Sequence, residues 1–280
     1  MEIGFALAAA RSRAHRGCMK RLQDKAIIVT GSTMGIGAAI ARRCAAEGAR
    51  VLIHGLEREA GERVAAELGD AAALWIEDVA APGAPDRIVA AAVGAFGRID
   101  ALVNNAGIVA TGNIGTTDQA LFDKVMAINA RAPLFLIQAA LPHLEKSRGC
   151  VLNIGSVNAY SGEEDLLPYS MAKGALMTMS RNLGDHLFRE RGVRVNQINP
   201  GWVLTENEQE RRLSWGFEDG WDARLPKLFA PAGRILRPEE IAAAAAYWLS
   251  DEAGPISGQV VELEQHPFIG RNPNKELEPL

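Results

Sequence analysis

Residues 25–37 read Lys25-Ala26-Ile27-Ile28-Val29-Thr30-Gly31-Ser32-Thr33-Met34-Gly35-Ile36-Gly37, and this stretch decides the fold. Ala26–Thr30 is apolar and β-branched, the pattern of a strand buried on both faces. Gly37–Gly48 is an alanine-rich run stopped by glycine, which predicts a helix. A strand that turns through glycines into a helix brings free N–H groups and the positive end of the helix dipole to the turn. Glycine also lets an anion approach the backbone closely. Residues 31–37 are therefore read as a phosphate-binding turn for a nucleotide, against the alternative of an ordinary strand–helix turn.

Outward from this turn the same alternation repeats. Arg50–His54, Ala73–Ile76, Ala101–Asn104, Cys150–Ile154, Arg194–Ile198 and Gln259–Leu263 read as strands. Arg58–Leu68, Ala84–Phe96, Thr117–Glu145, Tyr169–Arg191 and Pro238–Leu249 read as helices. Strands alternating with helices predict an α/β fold: one Rossmann-like, doubly wound parallel sheet of about seven strands with helices on both faces. With 280 residues, 48% hydrophobic content and no linker-like break, a single domain over residues 20–265 is expected. Residues 1–19 read as a disordered leader or a mis-set start, with Met19 an alternative first residue. Residues 206–231 are charged, hold two tryptophans, and read as a lid or a surface insertion. Residues 266–280 form a tail.

The formal net charge of −4 and the lack of a basic run after residue 25 argue against a nucleic-acid surface. No apolar stretch reads as long enough to cross a bilayer. Cys18, Cys44 and Cys150 show no paired spacing, which fits a reducing, cytoplasmic setting. His15, His54, His143, His186 and His266 are scattered and read as surface or loop residues, so no metal site is expected.

A second constellation bears on chemistry. Ser156 precedes Tyr169 by thirteen residues, and Lys173 follows Tyr169 by four, on one helix face. An ammonium ~4 Å from a phenol oxygen at an effective dielectric of ~20 is worth about 4 kcal/mol. That is roughly three pKa units, enough to bring a phenol near 7. Tyr169 would then move a proton while the Ser156 hydroxyl holds a carbonyl or alkoxide oxygen. A serine-hydrolase elbow is excluded, because Asn158 stands where its last glycine belongs.

The turn is not Gly-x-Gly-x-x-Gly. Thr30-Gly31-Ser32-Thr33-Met34-Gly35-Ile36-Gly37 resembles the Thr-Gly-x-x-x-Gly-x-Gly turn of the classical short-chain dehydrogenase/reductase family. Asn104-Asn105-Ala106-Gly107, Asp78-Val79, Asn129, the Ser156–Tyr169–Lys173 triplet, Pro200-Gly201 and Thr205 match that family in order, from about Lys20 to about Leu263. The resemblance implies an NAD(P)-dependent oxidoreductase that interconverts a secondary alcohol and a ketone. It implies catalytic roles for Asn129, Ser156, Tyr169 and Lys173, with Lys173 on the nicotinamide ribose and Asn129 holding a water that links Lys173 to solvent. A bound oxidised nicotinamide would lower the phenol further. The cofactor would lie on Gly31, Ser32, Thr33, Met34, Gly35, Ile36, Gly37, Gly55, Leu56, Asp78, Val79, Asn105, Ala106, Gly107, Tyr169, Lys173, Pro200, Gly201, Val203 and Thr205. A homotetramer or homodimer is implied as well, and the alanine-rich run Ile241–Leu249 suits either an interface or an intrachain contact.

The choice between NAD and NADP is open at this level. Gly55 stands where the NAD-type acid would be, Leu56 where many NADP-type members have arginine, and Met34 replaces a basic residue of the NADP-type turn. Glu57 could reach a ribose, or Arg58 or His54 a phosphate; the missing basic residues favour NAD. The substrate would touch Ser156, Asn158, Tyr169 and Trp202. Glu163-Glu164-Asp165 and Glu206–Glu208 give a polar, acidic rim that suits a small sugar or polyol. The alternatives are a 3-oxoacyl thioester reductase and a non-catalytic dinucleotide-binding regulator. The tail departs from the family's Val-Asp-Gly-Gly ending, and Phe268 and Ile269 suggest packing on a neighbouring subunit.

Overall fold

A computed structural model describes residues 20–160 and 162–267. The expectations for the leader and for Phe268 and Ile269 lie outside those residues. Seven parallel strands form one sheet in the order β3-β2-β1-β4-β5-β6-β7. The strands are β1 Ala26–Val29, β2 Arg50–Gly55, β3 Ala72–Ile76, β4 Ala101–Asn104, β5 Cys150–Ile154, β6 Arg194–Pro200 and β7 Val260–Leu263. The helices are α1 Gly35–Ala46, α2 Arg58–Leu68, α3 Ala84–Phe96, α4 Gln119–Met126, α5 Ala132–Ser147, α6 Leu167–Arg191, α7 Glu206–Ser214 and α8 Pro238–Leu249.

The period-2 geometry of the strands divides the core into two layers. Ile27, Val29, Val51, Ile53, Ala101 and Val103 face one side, where α1 and α8 cover them. Ile28, Leu52 and Leu102 face the other, under α3 and α5. The buried stripe of α8, Ile241, Ala242, Ala245, Ala246 and Leu249, lies in the first layer. Its small side chains thus serve an intrachain contact. The order reverses between β1 and β4, and in such sheets the strand ends at this point open a crevice for a ligand.

Two expectations change here. The helix expected over 117–145 is α4 and α5 joined by one π turn, Ala127–Arg131. From 119 to 147 it is long and apolar enough to span a bilayer, contrary to the sequence expectation. Its apolar residues Ala132, Leu136, Ile137, Ala140 and Leu144 are nevertheless buried in the core. Residues 206–231, read as a lid or a surface insertion, hold more regular structure than their charge suggests. They form α7 and a short turn at Trp221–Arg224, which pack around Trp202, Trp221, Ala230 and Ile235.

Candidate active site

The glycine turn has the shape its sequence implies. Gly31 and Gly35 have φ of 62° and 57°, which a side chain disfavours. A Cβ on Gly31 would lie 2.8 Å from the Ala106 Cα, and one on Gly37 would land on the Gly31 carbonyl. Asn105 ties the two loops together by donating its Nδ2 to the carbonyls of Thr30 and Gly31, both at 2.9 Å. Above the turn lies a groove of about 490 Å³. Gly31, Thr33, Met34, Gly35, Ile36, Gly55, Leu56, Asp78, Val79, Asn105, Ala106, Gly107 and Thr205, all among the residues read as cofactor contacts, line it. The lining also includes His54, Glu57, Glu206 and Arg211. Ser32 is not in the lining. Its hydroxyl donates to the Val29 carbonyl at 2.6 Å and accepts from His54 N at 3.0 Å, a buried tie between β1 and β2. Pro200 ends β6, and Val203 pairs with Leu236 behind the groove. Gly201 leaves room for Glu264, which accepts the Trp202 N–H at 2.8 Å.

A dinucleotide fits the donors of this turn. The Gly35 N–H, at the start of α1, already engages an anionic oxygen: Glu206 Oε2 of α7, at 3.0 Å. That carboxylate occupies the kind of position a pyrophosphate oxygen takes at a helix N-terminus.

At the end of β2 stand Glu57, read as a ribose contact, and Arg58 and His54, read as phosphate contacts. Arg58 turns away toward Glu62, 3.7 Å off along α2. His54 is buried rather than superficial, and its Nδ1 faces the Gly31 N–H at 3.5 Å. Burial lowers its pKa to about 4, so it is neutral at pH 7 and no counter-ion for a phosphate. Glu57 remains, with its Oε2 accepting from Thr33 Oγ1 at 2.6 Å. Gly55 must stay small, because a Cβ there would lie 2.6 Å from the Thr33 side chain. Glu57 stands two residues after Gly55, on the same groove.

Ser156, Tyr169 and Lys173 converge from β5 and α6. Ser156 is buried after β5, and its backbone N–H donates to Asn199 Oδ1 at 3.1 Å. Its Oγ accepts the Asn158 N–H at 3.1 Å and stands within hydrogen-bonding reach of the Tyr169 phenol. Lys173 is buried and donates Nζ to the Ile154 carbonyl at 2.8 Å, with the ammonium 5.6 Å from the Tyr169 ring centre. Burial lowers its pKa to about 8. The Tyr169 phenol is raised rather than lowered. Burial outweighs the pull of the Ser156 hydroxyl and of Arg211. The sequence-level figure counted only attraction at ~4 Å and omitted this desolvation.

Asn129 sits in the π turn, whose extra residue swings its side chain inward. Its Nδ2 donates to the carbonyls of Ile108 and Val125, both at 3.1 Å, and its buried Oδ1 has no protein partner. Gly107 makes room for this pairing: a Cβ on it would lie 2.7 Å from Asn129 Oδ1 and 3.6 Å from Lys173 Nζ. The free acceptor is suited to a water beside Lys173.

Sequence reasoning missed a buried polar chain under Ser156. Asn104 donates to Asn153, Asn153 to Ser180, Ser180 to Gln197 and Gln197 to Asn199, at 2.7 to 2.8 Å. No motif marks it; only the alternation of amides on β4, β5 and β6 hints at a polar seam. Gly155 is the close approach that admits it, since a Cβ would land on Asn199 Oδ1. Gly155→Ala is expected to destabilise the fold by about 2 kcal/mol or more through overpacking. The corresponding fall in melting temperature is measurable by calorimetry; an unchanged melting temperature would show that the seam yields freely.

Trp202 is also placed differently from the sequence expectation. It packs in the small cluster of Trp221, Ala230 and Ile235, 5.3 Å centre to centre from Trp221, with Nε1 donating to Glu208 at 2.8 Å. The Arg212 guanidinium stands among Trp202, Trp215, Phe217 and Trp221, 4.7 to 5.6 Å from their centres.

A family model described as enoyl-(acyl carrier protein) reductase matches residues 31–264. The chain is 32% identical to meso-2,3-butanediol dehydrogenase of Serratia marcescens, over 87% of this chain and 94% of that one. It is 34% identical to 2-(S)-hydroxypropyl-CoM dehydrogenase 3 of Xanthobacter autotrophicus, over 87% and 96%. It is also 34% identical to dehydrogenase/reductase SDR family member 4 of Sus scrofa, over 86% of each. The chain belongs to the classical short-chain dehydrogenase/reductase family. It is an NAD(P)-dependent oxidoreductase acting on alcohol and ketone groups.

Proposed function

We propose that the chain interconverts a small, polar secondary alcohol of the polyol or sugar type with its ketone, using NAD in preference to NADP. The observation that carries this reading is the Ser156 hydroxyl beside the Tyr169 phenol, with Lys173 buried behind them. The names of two relatives, a butanediol dehydrogenase and a hydroxypropyl-CoM dehydrogenase, support a small secondary alcohol. Glu57 supports NAD.

The nicotinamide, when bound, supplies or accepts the hydride. The turn 31–37 would hold its pyrophosphate, Glu57 its adenosine ribose, and Thr205 and Lys173 its nicotinamide end. Ser156 donates a hydrogen bond to the substrate oxygen, and its rigid backbone anchor on Asn199 costs no reorganisation as charge develops. Tyr169 takes the proton from the alcohol or gives it to the ketone. Asn129 Oδ1 holds the water through which Lys173 exchanges protons with solvent. A cytoplasmic enzyme fits the unpaired, buried thiols of Cys44 and Cys150. Association into a dimer or tetramer is supported by exposed Leu134 and Phe135 on α5 and Met171 on α6.

The raised phenol gives a directional pH dependence. Alcohol oxidation needs the phenolate, so its rate should climb with pH well above neutrality. Ketone reduction needs the neutral phenol, so it should be flat at neutral pH and fall at alkaline pH. Initial rates in both directions from pH 6 to 10 test this. Superimposable profiles would remove Tyr169 from proton transfer. The best single test of the function is absorbance of NADH with a panel of polyols, sugars and simple alcohols.

A further inference from the structure

Ser156 follows a strand, while Tyr169 and Lys173 ride on a helix, so their mutual spacing needs a tie between β5, β6 and α6. On α6, Tyr169, Lys173, Leu176 and Ser180 recur at i, i+4, i+7 and i+11, which puts Ser180 about three turns from the phenol on the same helix face. The Ser180 hydroxyl accepts from Asn153 Nδ2 of β5 at 2.8 Å and donates to Gln197 Oε1 of β6 at 2.7 Å. Gln197 Nε2 donates to Asn199 Oδ1 at 2.7 Å, and that oxygen also takes the Ser156 N–H at 3.1 Å. The serine that would hold the substrate oxygen is thus joined to the helix of the tyrosine through Asn199, Gln197 and Ser180, each 0% exposed.

One backbone group dictates the direction of this chain. The Ser156 N–H can only donate, so the Asn199 atom that faces it is the carbonyl oxygen. Two carbonyl oxygens repel at hydrogen-bonding distance, so Gln197 turns its Nε2 to Asn199 and its Oε1 to Ser180. The Ser180 hydroxyl has a single proton, and the Leu176 carbonyl is a rival acceptor at 2.8 Å. That carbonyl already takes a helical N–H, whereas Gln197 Oε1 would lose the donor that reaches it, so the proton belongs to Gln197. Gly155 lets the chain pass close beneath Ser156: a Cβ there would lie 2.0 Å from Asn199 Oδ1 and 2.3 Å from Gln197 Nε2. Aligned amides away from water hold their geometry stiffly, because each bond polarises the next and none has solvent as a substitute.

Resting on the dehydrogenase reading above, we propose that Gln197 and Ser180 are positioning residues: they hold Ser156 at its working distance from Tyr169, acting through Asn199. Asn199 alone anchors Ser156 to β6; the link through Gln197 and Ser180 fixes it to α6. Both residues are buried under the site and neither touches the substrate.

The test is steady-state kinetics with NAD and 2,3-butanediol, or the fastest alcohol of the panel above, well below each variant's melting temperature. Gln197→Met cuts the chain in its middle with a side chain of similar length and leaves both ends in place. It should lower kcat about tenfold, because a displaced hydroxyl costs most as charge develops, while KM stays within about twofold of the parent. The NADH dissociation constant should also stay within about twofold, since Lys173 keeps its own bond to the Ile154 carbonyl. Ser180→Ala should give the same pattern. In a Ser156→Ala background, with residual turnover read at high enzyme concentration, Gln197→Met should cost less than about threefold. An unchanged kcat in either single variant overturns the proposal, since the chain would then serve stability alone. A full repeat of the loss in the Ser156→Ala background overturns it by showing an effect that does not pass through Ser156. A parallel rise in the NADH dissociation constant overturns it by placing the effect on α6 as a whole. In each of these cases, parent turnover that Tyr169→Phe abolishes keeps the dehydrogenase reading intact. Absence of any alcohol or ketone turnover by the parent enzyme overturns that reading, and this proposal with it.

Discussion

Tyr169→Phe is expected to lower kcat by about 10³-fold while NADH still binds. The substitution removes one oxygen from a side chain whose ring stays packed on α6. The adjacent groups cannot replace it. Lys173 is buried and held on the Ile154 carbonyl, and Ser156 has no base of its own within the site. The cofactor groove is lined by other residues, so its affinity rests on contacts the variant leaves in place. Steady-state rates and fluorescence titration of NADH measure the two quantities separately. Turnover within tenfold of the parent would exclude Tyr169 as the acid or base. The same pair of measurements disposes of the regulator alternative, for which the substitution would have no rate to remove.

A cofactor preference of about 100-fold for NAD over NADP is expected, with Glu57 as its source. A carboxylate within ~4 Å of a phosphate repels it by about 4 kcal/mol per charge at an effective dielectric of ~20, and the open groove reduces this. The Thr33 hydroxyl fixes that carboxylate at 2.6 Å, so it cannot swing clear at little cost. Glu57→Gln should cut the ratio of kcat/KM values about tenfold, and adding Leu56→Arg should invert it. Leu56 is exposed and lines the groove, so an arginine there meets a 2′-phosphate without disturbing the core. An unchanged ratio in Glu57→Gln would place the discriminating contact elsewhere.

What could be read from the chain depended on whether local pattern or tertiary contact set each feature. Ala101–Asn104 and Cys150–Ile154 are strands to the residue, because short apolar runs bounded by polar turns leave little freedom. The motif-bearing turn and the catalytic triplet were legible for the same reason: their geometry follows from one strand end or one helix face. The π turn was not: Pro133, four residues after Asn129, has no N–H for the Asn129 carbonyl and so interrupts the ladder, but it does not say that the helix continues through one extra residue. Helix α7 is not legible within the stretch read as a lid or a surface insertion, because Glu206–Ser214 has almost no apolar stripe; Glu208 ties it to Trp202, which comes from elsewhere in the sequence. His54 and Asn199 look like ordinary polar residues until the sheet buries them. The direction of the Tyr169 shift depended on a burial that spacing alone does not reveal.

The clustering of Trp202, Trp215 and Trp221 around Arg212 makes the segment that carries α7 its own reporter. Three of the chain's five tryptophans stand there, so much of its intrinsic fluorescence originates in this one segment. Any displacement of α7 changes both the cation over those indoles and their exposure to water. Stopped-flow emission on mixing with a ligand would therefore report whether and when this segment responds in the unlabelled enzyme, apart from the chemical step seen at the reduced-cofactor absorbance.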